Sequence, residues 1–209
     1  MNGRGRLIAL EGVDGCGKST QAVLLSSAIG ALSTAEPGAT QLGATLRTLA
    51  LDPGLPPISA RAEALLMAAD RAQHVAEVIG PALEEGRWVV TERFSGSTLA
   101  YQGYGRGLDL DELHRLVAWA AGGITPDLTV LLDIPPSFAR GRLDPARADR
   151  LERLDAAFHD RVRDGYRTLA ESDRDTWVVV DATAQVDVVA ARLLTAVVEH
   201  LGPVPEAAP

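Results

Sequence analysis

Gly12-Val13-Asp14-Gly15-Cys16-Gly17-Lys18-Ser19 fits the pattern G-x-x-x-x-G-K-[ST], and its flanks supply the setting that pattern needs. Before it, Leu7 to Leu10 is a short apolar run that reads as a buried parallel strand. After it, Lys18 to about Ile29 reads as a helix that Gly30 can end. Glycines let successive backbone N–H groups curl around phosphate oxygens, and the helix N-terminus adds a positive dipole. Lys18 can then reach the β- and γ-phosphates, and Ser19 can offer a hydroxyl to Mg²⁺. Gly12, Val13, Asp14, Gly15, Cys16, Gly17, Lys18, Ser19 and Thr20 are thus the candidate nucleotide residues. The plainer alternative is a glycine-rich βα turn without a ligand. Cys16 reads as a small residue fitted into the loop; a thiolate favoured by Lys18 and the helix terminus is the other reading.

Outward from the loop, strands and helices alternate. Leu32–Thr34 can form a very short strand before Glu36-Pro37-Gly38, and Thr40–Leu51 a helix. Ser59 reads as the cap of a long helix whose apolar stripe is Ala62, Leu65, Leu66, Ala69, Ala72, Ala76 and Ile79, with Met67 and Arg71 on the opposite face. Trp88–Thr91, Leu128–Leu132 and Trp177–Val180 read as strands. Leu110–Ala121, Leu151–Ala170 and Val186–Leu201 read as helices, the second with Leu151, Leu154, Phe158, Val162 and Leu169 inward. The alternation predicts an α/β fold, a five-stranded parallel sheet with helices on both faces and ligands at the C-terminal strand ends. One domain over 1–201 is expected, with a frayed tail over 202–209.

Composition narrows the function. The 209 residues suffice for one core, and 46% hydrophobic with 23% charged residues excludes disorder. A net charge of −8 argues against broad nucleic-acid binding, while a small phosphorylated ligand needs only a few local cations. The single cysteine permits no internal disulfide, and the four histidines (His74, His114, His159, His200) lack metal-ligand spacing. No signal-like or membrane-spanning run is legible, so a cytoplasmic protein with no membrane partner is expected.

The loop alone indicates only a nucleoside triphosphate. Further segments narrow it: Glu11-Gly12-Val13-Asp14-Gly15, Glu36-Pro37-Gly38, Ala69-Asp70-Arg71-Ala72-Gln73-His74, Leu99 through Leu108 (LAYQGYGRGL), and Pro126-Asp127-Leu128 through Asp133-Ile134-Pro135-Pro136. In this order the chain resembles the thymidylate kinases over nearly its whole length. The resemblance implies the P-loop NTPase and nucleoside monophosphate kinase fold with a lid at about 140–153, and transfer of phosphate from Mg-ATP to dTMP, in a homodimer. It implies that Arg71 meets the thymine O4, Gln102 the base edge and Met67 the base face. Tyr101 would pack beneath the sugar, and Asp14 would accept from the 3′-hydroxyl. Arg47 and Arg93 would hold the acceptor phosphate, with Glu36, Pro37, Ser97, Thr98 and Tyr166 completing the dTMP-binding set. Catalysis would fall to Lys18, Arg93, Glu92 and lid arginines Arg142, Arg147 and Arg150, with Ser19 and Glu92 near the metal.

Plainer readings stand beside these. Arg47 could be a solvated helix charge. Arg71 could pair with Glu63 or Asp70, and Tyr166 could serve the core. The lid could be a mixed-charge helix, since Asp144, Asp149, Glu152 and Asp155 interleave with its arginines. The chain also departs from the family pattern. Ala35 stands where an Arg precedes Glu-Pro-Gly, Met67 where a Phe stacks on the base, Glu92 for the Asp of an Asp-Arg pair, and Gly96 for a following Asp. The second strand reads as vestigial. These departures motivate two alternatives, a nucleotide-binding regulatory protein with reduced turnover and a related deoxynucleoside or deoxynucleotide kinase with altered base selectivity.

Overall fold

A computed structural model describes residues 4–205. In chain order its elements are β1 (Leu7–Glu11), α1 (Lys18–Ile29), β2 (Leu32–Ala35), α2 (Gln41–Leu51), α3 (Ala60–His74), α4 (Gly80–Glu84), β3 (Val89–Glu92), α5 (Ser95–Thr98), α6 (Leu110–Ala120), β4 (Leu128–Asp133), α7 (Pro136–Arg140), α8 (Ala156–Ser172), β5 (Trp177–Asp181) and α9 (Val186–Leu201). π-Helical turns continue α3 through Val75–Ile79 and α5 through Leu99–Gly105, and Pro145–Arg147 forms a 3₁₀ turn.

The five strands form one parallel sheet in the order β2-β3-β1-β4-β5. Every residue of β1 is buried, as a strand covered on both faces requires. Alternation divides it between two cores: Ile8 and Leu10 pack with the layer containing Leu25, Ile29, Leu193 and Val197, and Leu7 and Ala9 pack with Val75, Ile79, Leu83 and Phe94. β2 pairs with β3 over its whole length, from Leu32↔Val89 to Ala35↔Glu92. The strand expected to be vestigial is thus a full edge strand.

Two helices differ from the expectation. Most of the apolar stripe assigned to this helix faces outward: Leu65 is 54% exposed and Ala69, Ala72 and Ala76 are exposed, while Leu66 is partly buried and Ile79, in the π-helical continuation, is fully buried as expected; the buried face of α3 is Glu63, Ala64, Ala68, Asp70, Arg71 and His74. The face turned inward is polar because it looks onto the cleft described below. The helix expected from Leu151 begins at Ala156, where Asp155 accepts from the Phe158 N–H at 2.7 Å and caps it. Leu151 is still buried, as part of the preceding loop. Of the tail expected to fray, Val204 is partly buried against the core, and residues 206–209 lie outside the described residues.

Candidate active site

β1 sits between β3 and β4, so chain connections leave it in opposite directions, and a cleft of about 690 Å³ opens at the C-terminal strand ends there. Its floor is the loop from Gly12 to Gly17. Gly15, at φ 80°, lies so close to α7 that a Cβ would stand 2.4 Å from the Ala139 carbonyl oxygen. The Lys18 ammonium donates to the carbonyls of Gly12 (3.1 Å) and Val13 (2.9 Å), and Cys16 is buried beside it. Ser19 and Thr20 line the cleft at the start of α1.

Arg93 is the hub of the site. It follows β3 with φ 69°, a left-handed conformation that costs a non-glycine residue about 1–3 kcal/mol and persists only where its surroundings fix it. Here its N–H donates to Leu10 O (2.9 Å), and the Thr91 hydroxyl donates to its carbonyl (2.9 Å). The guanidinium donates to Gly12 O (3.2 Å), Ser97 Oγ (2.9 Å), Tyr166 Oη (3.1 Å) and Tyr101 Oη (3.2 Å), and it pairs with Asp14. Tyr101 Oη donates to the other Asp14 oxygen at 2.6 Å. Burial pushes the Asp14 carboxyl up, but Arg93 and Lys18 outweigh it and hold it at about 2.

Beneath this hub lies Glu11, fully buried. Its carboxylate accepts from the N–H groups of Phe94 (2.9 Å) and Ser97 (3.0 Å) and from the hydroxyls of Ser97 (2.6 Å) and Tyr166 (2.9 Å). Burial raises its pKa. Tyr166, read either as part of the dTMP-binding set or as a core residue, is fully buried behind Arg93 and outside the cleft lining, as the core reading expects. Gly96 gains a physical reason here: a Cβ would stand 2.8 Å from Trp177 and 2.9 Å from the Glu11 carboxylate.

At the far end, Arg71 pairs with Glu36 rather than with Glu63 or Asp70. Its Nε donates to Glu36 at 2.9 Å, Nη1 to Thr98 Oγ1 at 3.0 Å and Nη2 to Phe94 O at 2.8 Å. Glu36 also meets His74 Nδ1 at 3.1 Å, and the other ring nitrogen meets Thr34 Oγ1 at 2.7 Å. Met67, Pro37, Arg47, Glu92, Ser97, Thr98 and Gln102 all line the cleft. Arg47 is exposed and donates to Pro37 O at 2.9 Å.

The predicted lid is a loop rather than a helix between α7 and Asp155. Only one of its three candidate arginines lines the cleft, Arg142. Arg147 projects outward with its side chain 88% exposed, and Arg150 donates to the carbonyls of Asp52 (2.8 Å) and Leu55 (3.2 Å). Asp149 and Glu152, which the sequence suggested only as interleaved surface charge, line the cleft, and burial raises both pKa values.

No group of three or more His, Cys, Asp or Glu side chains able to hold a metal occurs among the described residues. The oxygens of Ser19 and Glu92 share the cleft. Hard oxygen donors in that small number suit Mg²⁺, whose remaining positions are usually taken by water and phosphate.

A phosphate-binding loop facing a second polar pocket across one half-buried arginine, Arg93, defines a nucleotide kinase. The family model described as thymidylate kinase matches residues 10–193. The thymidylate kinase of Leifsonia xyli subsp. xyli is 49% identical over 199 residues, spanning 92% of this chain and 94% of that protein. That of Desulforudis audaxviator is 45% identical over 195 residues, 90% and 88% of the two chains. The crystal structure of thymidylate kinase from Ehrlichia chaffeensis superposes with a TM-score of 0.75 at 28% identity, covering 93% of this chain and 99% of that one. The chain belongs to the thymidylate kinase family.

Proposed function

We propose that the chain transfers the γ-phosphoryl group of Mg-ATP to the phosphate of dTMP, giving ADP and dTDP. The observation that carries this reading is the single cleft in which the phosphate loop and the pair Arg71 and Gln102 face each other, with Arg93 bonded to the loop and to Tyr101 between them. The acceptor phosphate already bears a nucleophilic oxygen, so no strong general base is needed and catalysis is positioning and charge neutralisation.

In this reading Lys18 leaves its loop carbonyls for the β- and γ-phosphates. Ser19, through its hydroxyl, and Glu92, through its carboxylate, would be the residues that hold the metal. Bound Mg²⁺ adds charge neutralisation on the triphosphate. Arg93 and Arg47 hold the acceptor phosphate, Tyr101 lies beneath the sugar, and Asp14 accepts from the 3′-hydroxyl. Arg71 donates to the base O4 and Met67 lies on the base face, while Glu36, Pro37, Ser97 and Thr98 shape the pocket. Arg142 is the lid arginine nearest the reaction, and Arg147 and Arg150 reach it only if the lid moves. Tyr166 supports Arg93 from behind.

The family also supports a cytoplasmic homodimer. Leu42 and Leu49 on α2, Leu65 on α3 and Trp119 on α6 are exposed (Trp119 to 82%), and light scattering reads the oligomeric state directly. The activity is tested by ADP release with dTMP, dUMP, dGMP and thymidine. The highest kcat/KM is expected for dTMP; ATP binding without dTMP-dependent ADP formation overturns the proposal.

A further inference from the structure

Glu63 lies on the inward face of α3 with no exposed surface and does not line the cleft. Its Oε1 accepts from Gln102 Nε2 at 2.9 Å and from Arg106 Nε at 3.2 Å, and its Oε2 accepts from Arg106 Nη2 at 2.8 Å. Arg106 also stacks over the Phe158 ring, 5.2 Å from its centroid, which fixes the guanidinium that holds Glu63. Gln102 is 2% exposed and lines the cleft.

An ion-paired carboxylate can only accept hydrogen bonds. The Gln102 side chain must therefore turn its NH₂ toward Glu63, and the carbonyl oxygen becomes the end of the amide left for the cleft. Reversing the amide would set its carbonyl oxygen, with no donor, against a buried carboxylate left with the Arg106 donors alone, an arrangement that burial makes costly. Gln102 lies one helical turn after Thr98, whose hydroxyl holds Arg71 at 3.0 Å. That corner of the cleft thus presents a guanidinium donor and, next to it, a carbonyl acceptor.

We infer that Glu63 is a positioning residue that fixes the orientation of the Gln102 amide and thereby makes the site select pyrimidines with a ring N–H beside a carbonyl over those with a ring lone pair beside an amino group. Thymine and uracil present O4 as acceptor and N3–H as donor, matching the two protein groups. Cytosine presents an amino donor and an N3 lone pair, opposed to both. The inference rests on the dTMP-kinase reading and adds to it a determinant outside the cleft.

The test compares kcat/KM for dTMP and dCMP at saturating ATP in the wild type and in Glu63→Gln. A glutamine at 63 can donate as well as accept, so the Gln102 amide is free to reverse. The dTMP-to-dCMP ratio is expected to fall at least tenfold, chiefly through a higher KM for dTMP, while the KM for ATP stays within twofold. A merely structural role would lower both substrates alike and leave the ratio unchanged. Glu63→Asp keeps a charge for Arg106 but stops a methylene short of Gln102, so it carries the same expectation should Glu63→Gln fail to fold. A ratio within twofold of wild type in either folded variant overturns the inference. Wild-type protein that binds ATP but phosphorylates neither nucleotide is a separate result, which overturns the activity and this inference together.

Discussion

Replacing Glu11 with Gln changes no volume and removes one buried charge. The magnitude follows from the partners of each oxygen. Oε1 accepts from two backbone N–H groups, at 2.9 and 3.0 Å, and a glutamine carbonyl placed there keeps both bonds. Oε2 accepts from the Ser97 and Tyr166 hydroxyls at 2.6 and 2.9 Å, and an NH₂ there cannot accept them. Both hydroxyl oxygens already accept from Arg93 Nη1, so the new amide can reach them only at a remaining lone pair and only after their own protons turn away from position 11. Two hydrogen bonds to a charged group are lost, each worth about 1.5–3 kcal/mol. Relief of the carboxylate's burial, which raises its pKa, offsets part of that loss. A net destabilisation of about 2 kcal/mol follows, and at roughly 2–4 °C per kcal/mol for a chain of this size the melting temperature should fall by about 4–8 °C. Loosening of Arg93 should lower kcat about tenfold in ADP release, since small displacements of a positioning cation are costly. Circular-dichroism melting and the coupled assay read the two effects. A Glu11→Gln protein that melts within about 1 °C of wild type and keeps its kcat would show that the buried carboxylate does not hold the hub.

Two further outcomes are expected. Asp14 is held at about 2 against an ordinary 3.8, so its ionised form stabilises the fold above the ordinary value, and that stability is lost as pH falls through about 2. The loss amounts to about 2 kcal/mol, and acid titrations of wild type and Asp14→Asn should converge by that amount between pH 4 and 2; a constant gap contradicts the linkage. Met67 lines the cleft with a flexible thioether, so Met67→Phe should widen the kcat/KM margin of dTMP over dUMP, and an unchanged margin rules out a base-stacking role for this position.

Segments whose local chemistry and tertiary role agree were legible from sequence. The loop and its glycines fix the junction of β1 and α1, and α9 runs from Val186 to Leu201 as its pattern predicts. α3 failed because alanine and leucine were counted as core while the helix turns its charged face inward to build a site. The period was visible, but the sign of the face was not. The start of α8 was misplaced because Leu151 and Leu154 extend its apolar spacing into a loop, and Asp155, the actual cap, was read only as surface charge. The site's donors carried motif signals. The acids behind them did not, because a carboxylate's burial depends on donors brought from distant segments: Glu11 meets Tyr166 across 155 positions and Glu63 meets Arg106 across 43.

Those acids also explain how a chain of net charge −8 can suit anionic substrates. Three cleft residues are each held by a buried glutamate from a different segment: Arg93 by Glu11 through Ser97 and Tyr166, Arg71 by Glu36, and the Gln102 amide by Glu63. The three carboxylates are 0%, 5% and 0% exposed, so their charge is spent on neighbouring donors rather than turned toward a ligand. Orientation fixed before substrate arrives reduces the reorganisation that positioning catalysis would otherwise require at each turnover. Asp14 is the exception, since it pairs with Arg93 on the cleft side. In the proposed dTMP reading, an arriving phosphate would have to compete with Asp14 for the Arg93 guanidinium, whereas a base at Arg71 would meet a donor already paired with Glu36. On this arrangement, Asp14→Asn should tighten binding of the acceptor phosphate unless the lost 3′-hydroxyl contact outweighs the freed guanidinium, and 3′-deoxy-dTMP, which lacks that contact, isolates the first effect.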